Sequence, residues 1–210
     1  MAEPRRVIIG ITGASGTILG VRLLELLRPI PDVETHLVVS PAALRTLLIE
    51  TDYSADQVHA LADHVHNFKD IGASIASGSF RSEGMIIAPC SVKTLSSVAH
   101  CSSGDLIGRA ADVCLKERRR LVLLFRETPL HAGHFALMDQ ATRSGAIVMP
   151  AVIGLYYRPQ SVMDIVDHLA GRALDLIGID AGTVRRWTGQ PAAEPRSEIQ
   201  HCNDLREEDR

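Results

Sequence analysis

Val7-Ile8-Ile9-Gly10-Ile11-Thr12-Gly13-Ala14-Ser15-Gly16 decides the fold. An apolar run of strand length breaks into a cluster of small residues. Ile18, Val21, Leu23, Leu24 and Leu27 then recur at helical spacing up to Pro29. This is strand, tight loop, helix. The same order repeats downstream. Glu34 to Val39 reads as a second strand, with Ser40 capping a helix that has Pro41 in its first turn and stops near Thr51. Met85 to Ala88, Leu121 to Phe125 and Ala146 to Met149 read as further strands. Helical patterns cover Asp105 to Glu117, Ala132 to Arg143 and Ser161 to Ile177. Continuous apolar strands alternating with helices predict an α/β fold: a doubly wound parallel sheet, Rossmann- or flavodoxin-like, in a single layer with helices on both faces. Ligands bind at the carboxyl ends of such strands. Those ends are the Gly13 loop, Ser40, the Ser91 turn, Arg126-Glu127 and Tyr156. Asp52 to Gly84 is less regular and reads as a helix plus a loop. Residues 1–188 are expected to form one domain, and 189–210 a mobile tail.

The chain has 210 residues and a formal net charge of −3. From Gly189 to Arg210 there are six acids and three arginines, so the tail carries that whole charge and the body is neutral. Neither nucleic acid nor an anionic membrane is drawn by such a body. Eight aromatic residues are too few for a base-stacking surface. None of the four cysteines forms a C-x-x-C pair, which disfavours a zinc ribbon and fits free thiols in a reducing compartment. Arg5-Arg6 followed by Val7-Ile8-Ile9 is too short an apolar run for a signal peptide, and no run reaches the ~20 residues of a membrane span. A cytoplasmic protein is expected.

Each local motif has a plain reading beside the functional one. The Gly13 loop lacks the G-x-G-x-x-G and G-K-[ST] patterns, so it is either an ordinary turn or an anion- or ring-binding loop. Pro89-Cys90-Ser91-Val92-Lys93-Thr94 is either a simple cap or a phosphate cradle. Arg126-Glu127 at a strand tip is a structural ion pair or a phosphate site with a proton-transfer acid. Arg118 to Arg120 read as a solvated turn. One ring of Tyr156-Tyr157 is expected against the core, and the other can meet a phosphate or an apolar group. His131 and His134, at i and i+3, have no third ligand at supporting spacing, and His64/His66 read likewise as bland. Cys90 is a candidate nucleophile, but no basic partner for it is identifiable.

Taken together, the segments resemble the bacterial flavin prenyltransferase family, also described as 3-octaprenyl-4-hydroxybenzoate or phenolic-acid decarboxylase partner proteins. The resemblance rests on Thr12 to Gly16, Glu50-Thr51-Asp52, Ala76 to Phe80, Pro89 to Leu95, Arg109 to Asp112, Leu115 to Arg119, Arg126 to Leu130 and Tyr156 to Ser161. It covers residues 7 to 188. One departure is Tyr157, where members often carry His.

The resemblance implies that reduced FMN receives a dimethylallyl group from dimethylallyl monophosphate at N5 and C6. The prenylated FMN then serves a partner decarboxylase of the ubiquinone-pathway or aromatic-acid type. It places flavin contacts on Gly13, Ala14, Ser15, Ser40, Ser91, Val92, Lys93, Thr94 and Arg126. It places the prenyl phosphate on Lys116, Arg126, Tyr156 and Arg172, with Arg109 helping from a neighbouring subunit. Ser15, Glu50, Glu127 and Lys116 are the implied catalytic residues, and Trp187 the implied aromatic wall. A homododecamer is also implied. No metal is expected, since no D-D-x-x-D clamp for a diphosphate is present. Two other functions stay open: a cysteine-decarboxylase-type flavoenzyme, and a non-catalytic flavin-binding subunit of a phenolic-acid decarboxylase.

Overall fold

The computed structural model describes residues 3–189. The six strands are β1 (Arg5–Ile11), β2 (Val33–Val39), β3 (His64–His66), β4 (Gly84–Cys90), β5 (Arg120–Phe125) and β6 (Ile147–Pro150). The helices are α1 (Ile18–Leu27), α2 (Pro41–Glu50), α3 (Ala55–His59), α4 (Val92–Ala99), α5 (Leu106–Lys116), α6 (Ala132–Arg143) and α7 (Val162–Leu176), with a short 3-10 turn at Ser74–Ala76. All strand pairs are parallel, in the order β3-β2-β1-β4-β5-β6. This is the expected doubly wound sheet, in the strand order of dinucleotide-binding folds.

The order reverses between β1 and β4. From β1 the chain crosses through α1 to β2 on one side; from β4 it crosses through α4 and α5 to β5 on the other. Right-handed crossovers in opposite directions put these helices on opposite faces. Two apolar cores result. One joins Val7, Ile9 and Ile11 of β1 to α1 and α7; the other joins Met85 and Ile87 of β4 to α4 and α5. β4 is buried along its whole length, which explains its unbroken apolar reading.

Helix starts follow the sequence closely. Ser40 Oγ accepts from the Ala43 amide at 3.1 Å, with Pro41 opening α2. Asp105 and Ser161 cap α5 and α7 in the same way.

Two expectations are corrected here. The segment from Asp52 to Gly84 holds a sixth strand as well as a helix. β3 is only three residues long, polar and half exposed at the sheet edge, so it carries no apolar alternation to read. Arg118 to Arg120 are not a merely solvated turn. Arg119 donates to the Phe80 and Gly78 carbonyls at 2.6 and 2.7 Å, and Arg120 donates to the Leu176 carbonyl at 2.8 Å. The expected tail, apart from Gly189, lies outside the described residues. Among the described residues, no helix is long and apolar enough to cross a membrane.

Candidate functional site

The crevice opens where the strand order reverses, between the carboxyl ends of β1 and β4. Thr12 stitches its two sides together. Its hydroxyl donates to the Pro89 carbonyl at 2.6 Å and accepts from the Ser91 amide at 2.9 Å. The Gly13 loop and the Ser91 turn therefore converge, as the sequence implied. Neighbouring strand tips are tied in as well: the Ser40 amide donates to the Ile11 carbonyl at 3.0 Å, and the Arg126 amide to the Cys90 carbonyl at 3.1 Å.

Glycine is needed at two places in this loop. A Cβ on Gly13 would stand 2.5 Å from the Ala42 Cβ, so the bare backbone lets α2 pack against the loop. Gly16 has φ +98°, in the region that only glycine adopts freely.

Ser91 Oγ accepts from the Thr94 amide at 3.4 Å and lies 3.1 Å from Thr94 Oγ1. The capping reading of this motif is therefore correct. It does not displace the ligand reading, because the amides of Val92 and Lys93 keep the free donor character of a helix start. The Lys93 side chain contributes less than expected. It is 81% exposed and reaches toward Asp105 at 3.9 Å, leaving only its main chain at the crevice.

Glu50 comes from the last turn of α2. Its carboxylate accepts from the Gly16 amide at 2.9 Å and from the Thr17 amide and hydroxyl, each at 3.1 Å. Burial alone would raise its pKa. The Ser15 hydroxyl and these Gly16 and Thr17 bonds outweigh burial and hold the carboxyl below its usual range. Glu50 thus stays ionised and fixes the loop that carries Ala14 and Ser15.

Arg126 and Glu127 are exposed at the tip of β5. Among the described residues they do not pair with each other or with any other charged side chain. Glu127 Oε1 accepts from the Thr128 amide at 3.0 Å. The structural ion-pair reading is therefore wrong, and the Arg126 cation is left for a ligand.

The remaining candidates lie in other groups. Tyr156 Oη is 3.2 Å from His168 Nε2, and the Tyr156 ring meets Trp187 edge-on at 5.9 Å. Arg172 pairs with Asp175 at 2.9 Å, and Asp175 also holds Arg186, next to Trp187 in the chain. Tyr157 is the ring packed on the core; it stacks on His168 at 4.2 Å, while Tyr156 is half exposed. Arg109 pairs with Asp112 at 2.8 Å. Lys116 pairs with Glu117 at the end of α5. Four residues later β5 begins at Arg120, in register with Gly84 at the start of β4. Lys116 thus sits at the amino edge of the sheet, opposite the crevice. A single chain does not bring it to Arg126, contrary to a site built within one subunit.

A family model described as Flavoprotein matches residues 1–172. The chain is 54% identical over 187 residues to flavin prenyltransferase UbiX of Escherichia coli (strain K12), which covers 88% of this chain and 99% of that one. The chain belongs to the flavin prenyltransferase family. Solved structures agree. AnUbiX (PadA1) in complex with FMN and dimethylallyl pyrophosphate superposes with a TM-score of 0.87 at 49% identity, over 89% of this chain and 99% of that one. A dodecameric FMN-dependent Ubix-like decarboxylase from Escherichia coli O157:H7 does so at 0.85 and 49%, over 88% and 100%.

Three side chains of this flavin prenyltransferase are set aside by the structure. Cys90 is fully buried, and burial drives its thiol far above the usual range, so it is not a nucleophile. His131 caps α6 through Nδ1 to the Gly133 amide at 3.0 Å, with His134 stacked on it at 3.8 Å; both serve the helix start. The sequence did not single out Thr12, His168 or Asp175. Thr12 and His168 act through partners distant in sequence, and Asp175, though an i+3 partner of Arg172, gains its second cation Arg186 only from the fold, so no local pattern marks these roles.

Proposed function

We propose that this chain joins a dimethylallyl group from dimethylallyl monophosphate to N5 and C6 of reduced FMN, making prenylated FMN for a partner decarboxylase. The observation that carries this reading is the crevice between β1 and β4, with an uncommitted Arg126 beside Glu127, in a chain about half identical to UbiX. The crevice suits FMN. The bare Gly13 backbone lets the loop lie low, and the first-turn amides of α4 with Ser91 and Thr94 offer donors to a phosphate or ring. Bound there, reduced FMN would supply the electron-rich N5 and C6 that bond to the two ends of the allyl group.

The chain's own residues supply the rest. Loss of phosphate from an allylic ester leaves an allylic cation and an anion. Arg126 stabilises the departing phosphate, joined by Arg172 and Tyr156. Lys116 comes from a neighbouring subunit, because its own chain holds it at the far edge of the sheet, and Arg109 helps from a neighbouring subunit as the family resemblance implies. Tyr156 and Trp187, edge to face, form an apolar wall that shelters the cation from water. Glu50 positions Ser15 at the reacting centre. The released phosphate takes the proton that N5 loses and returns it to the middle carbon of the prenyl double bond, which makes the far carbon electrophilic toward C6. Glu127 then takes up the proton lost from C6, directly or through that phosphate. Residues 1–188 act as the flavin-binding unit, and the site works in the cytoplasm, where reduced flavin persists.

The test is anaerobic incubation of the protein with reduced FMN and dimethylallyl monophosphate or diphosphate, read by mass spectrometry. The monophosphate should give a flavin heavier by one C5 unit. No such product with either donor would favour a non-catalytic flavin subunit or a decarboxylating flavoenzyme. Glu127→Gln should slow the second bond-forming step, at C6, more than the first. Equal rates for wild type and variant would remove Glu127 from the mechanism.

A further inference from the structure

The far edge of the sheet carries a group of side chains that flavin chemistry does not use. Successive same-face residues in a strand are two apart, and neighbouring parallel strands bring such residues side by side. On β2 these are Glu34 and His36; on β3 they are His64 and His66. His36 and His64 are register partners. One carboxylate and three imidazoles therefore share one face.

The contacts within this grid are ordered. His36 is almost fully buried, and its Nε2 lies 2.9 Å from Glu34 Oε1. Its Nδ1 lies 2.9 Å from His66 Nε2. The His64 ring stacks on His36 at 4.6 Å. His64 Nε2 stands 3.8 Å from Glu34 Oε1, beyond hydrogen-bond reach, and the His64 side chain makes no hydrogen bond among the described residues. The three facing atoms of Glu34, His36 and His64 lie within 4.8 Å of one another. Phe80 stands edge-on to His36 at 4.9 Å and closes the inner side. The Asp63 carboxylate accepts from the Thr35 amide and hydroxyl, both at 2.8 Å, and so pins the start of β3 to β2.

The geometry points to a zinc site: Glu34, His36 and His64 supply three ligands, and His66 holds the His36 ring from behind. Ligands of a tetrahedral zinc ion sit about 3.3 Å apart, and the separations of 2.9 and 3.8 Å bracket that value. Two imidazoles and a carboxylate leave the fourth position to water. The proton balance closes without an external base. A carboxylate only accepts, so without metal His36 Nε2–H donates to Glu34 and His66 Nε2–H donates to His36 Nδ1. Zinc takes the Nε2 lone pair of His36. The His36 proton then sits on Nδ1 and donates to His66 Nε2, whose own proton moves to its Nδ1. Each ring stays neutral, and the metal-bound His gains the oriented partner that such ligands use. Arg6 Nε also donates to Glu34 Oε1, at 2.9 Å. It keeps the carboxylate oriented but repels the cation, so this is a site of moderate affinity.

The test uses the untagged full-length protein, stripped with a chelator, dialysed against buffered zinc and analysed for metal by mass spectrometry. The expected result is one zinc ion per chain. His64→Gln, at an exposed position, should lose that ion while keeping wild-type prenyl transfer, which reports a sound fold. His66→Ala should weaken binding roughly tenfold or more at unchanged stoichiometry. A wild-type protein that retains no zinc, or a His64→Gln variant that binds it as well as wild type, would overturn the assignment.

Discussion

Glu50 ends α2, yet its carboxylate accepts hydrogen bonds from Gly16 and Thr17 at the start of α1. A carboxylate at a helix start gains from both the free amides and the helix dipole. The side chain links two helices through the loop that carries Ser15. Glu50→Ala should cost about 1 kcal/mol of stability, a modest value because the group borders solvent. The pH dependence has a definite sign. Its folded pKa is held below the usual carboxylate range, so its contribution is complete at neutral pH and fades as the pH falls through the lowered folded pKa. Urea unfolding of wild type and Glu50→Ala should therefore differ most at neutral pH and converge in acid. A constant gap would show that the carboxylate's charge is not what holds the loop. Prenyl transfer should also fall in Glu50→Ala at neutral pH, since Ser15 loses its anchor. The sequence could place Glu50 near the site only through the family resemblance. Its hydrogen bonds to residues about 34 positions earlier follow from tertiary packing alone.

Among the elements, two helix caps of similar chemistry differ in consequence. Ser91 caps α4 at the crevice, whereas Ser54 caps α3, away from it, in a reciprocal capping box with Gln57. Each cap is worth about 1 kcal/mol. Ser91→Ala and Ser54→Ala should lower the unfolding midpoint to a similar extent. Only Ser91→Ala should also weaken FMN binding, measured by quenching of flavin fluorescence. Equal flavin affinity in the two variants would make the Ser91 motif a cap and nothing more. Element by element, the strongly patterned segments were readable: β1, β4 and β5 as unbroken apolar runs, and α2 from Ser40-Pro41 at its start. β3 was not, because a three-residue polar edge strand has no periodicity of its own. Its pairing is set by Asp63 on Thr35 and by the His36–His64 register, neither visible along the chain.

At the scale of the whole molecule, the residues assigned to one reaction stand at two ends of one sheet. Arg126 is at the carboxyl tip of β5, and Lys116 comes just before the amino start of that same strand. A β-strand advances about 3.3 Å per residue, so the six residues of β5 separate the two cations by roughly 20 Å. Both can serve one phosphate only if one chain's amino edge faces another chain's crevice, which requires a heterologous interface of the kind that closes into rings. This arrangement has a consequence that a one-chain site does not share. Lys116→Ala and Arg126→Ala homo-oligomers should each be inactive or nearly so. Unfolded together in equal amounts and refolded as mixed assemblies, they should regain about a quarter of wild-type activity. That is the chance that a site draws its lysine from an Arg126→Ala chain and its arginine from a Lys116→Ala chain. If Lys116 and Arg126 of one chain shared a site, every mixed site would still lack one cation and no activity would return. Refolded wild type sets the reference yield, and a mixture no more active than its parents would show that Lys116 works from its own chain or not at all.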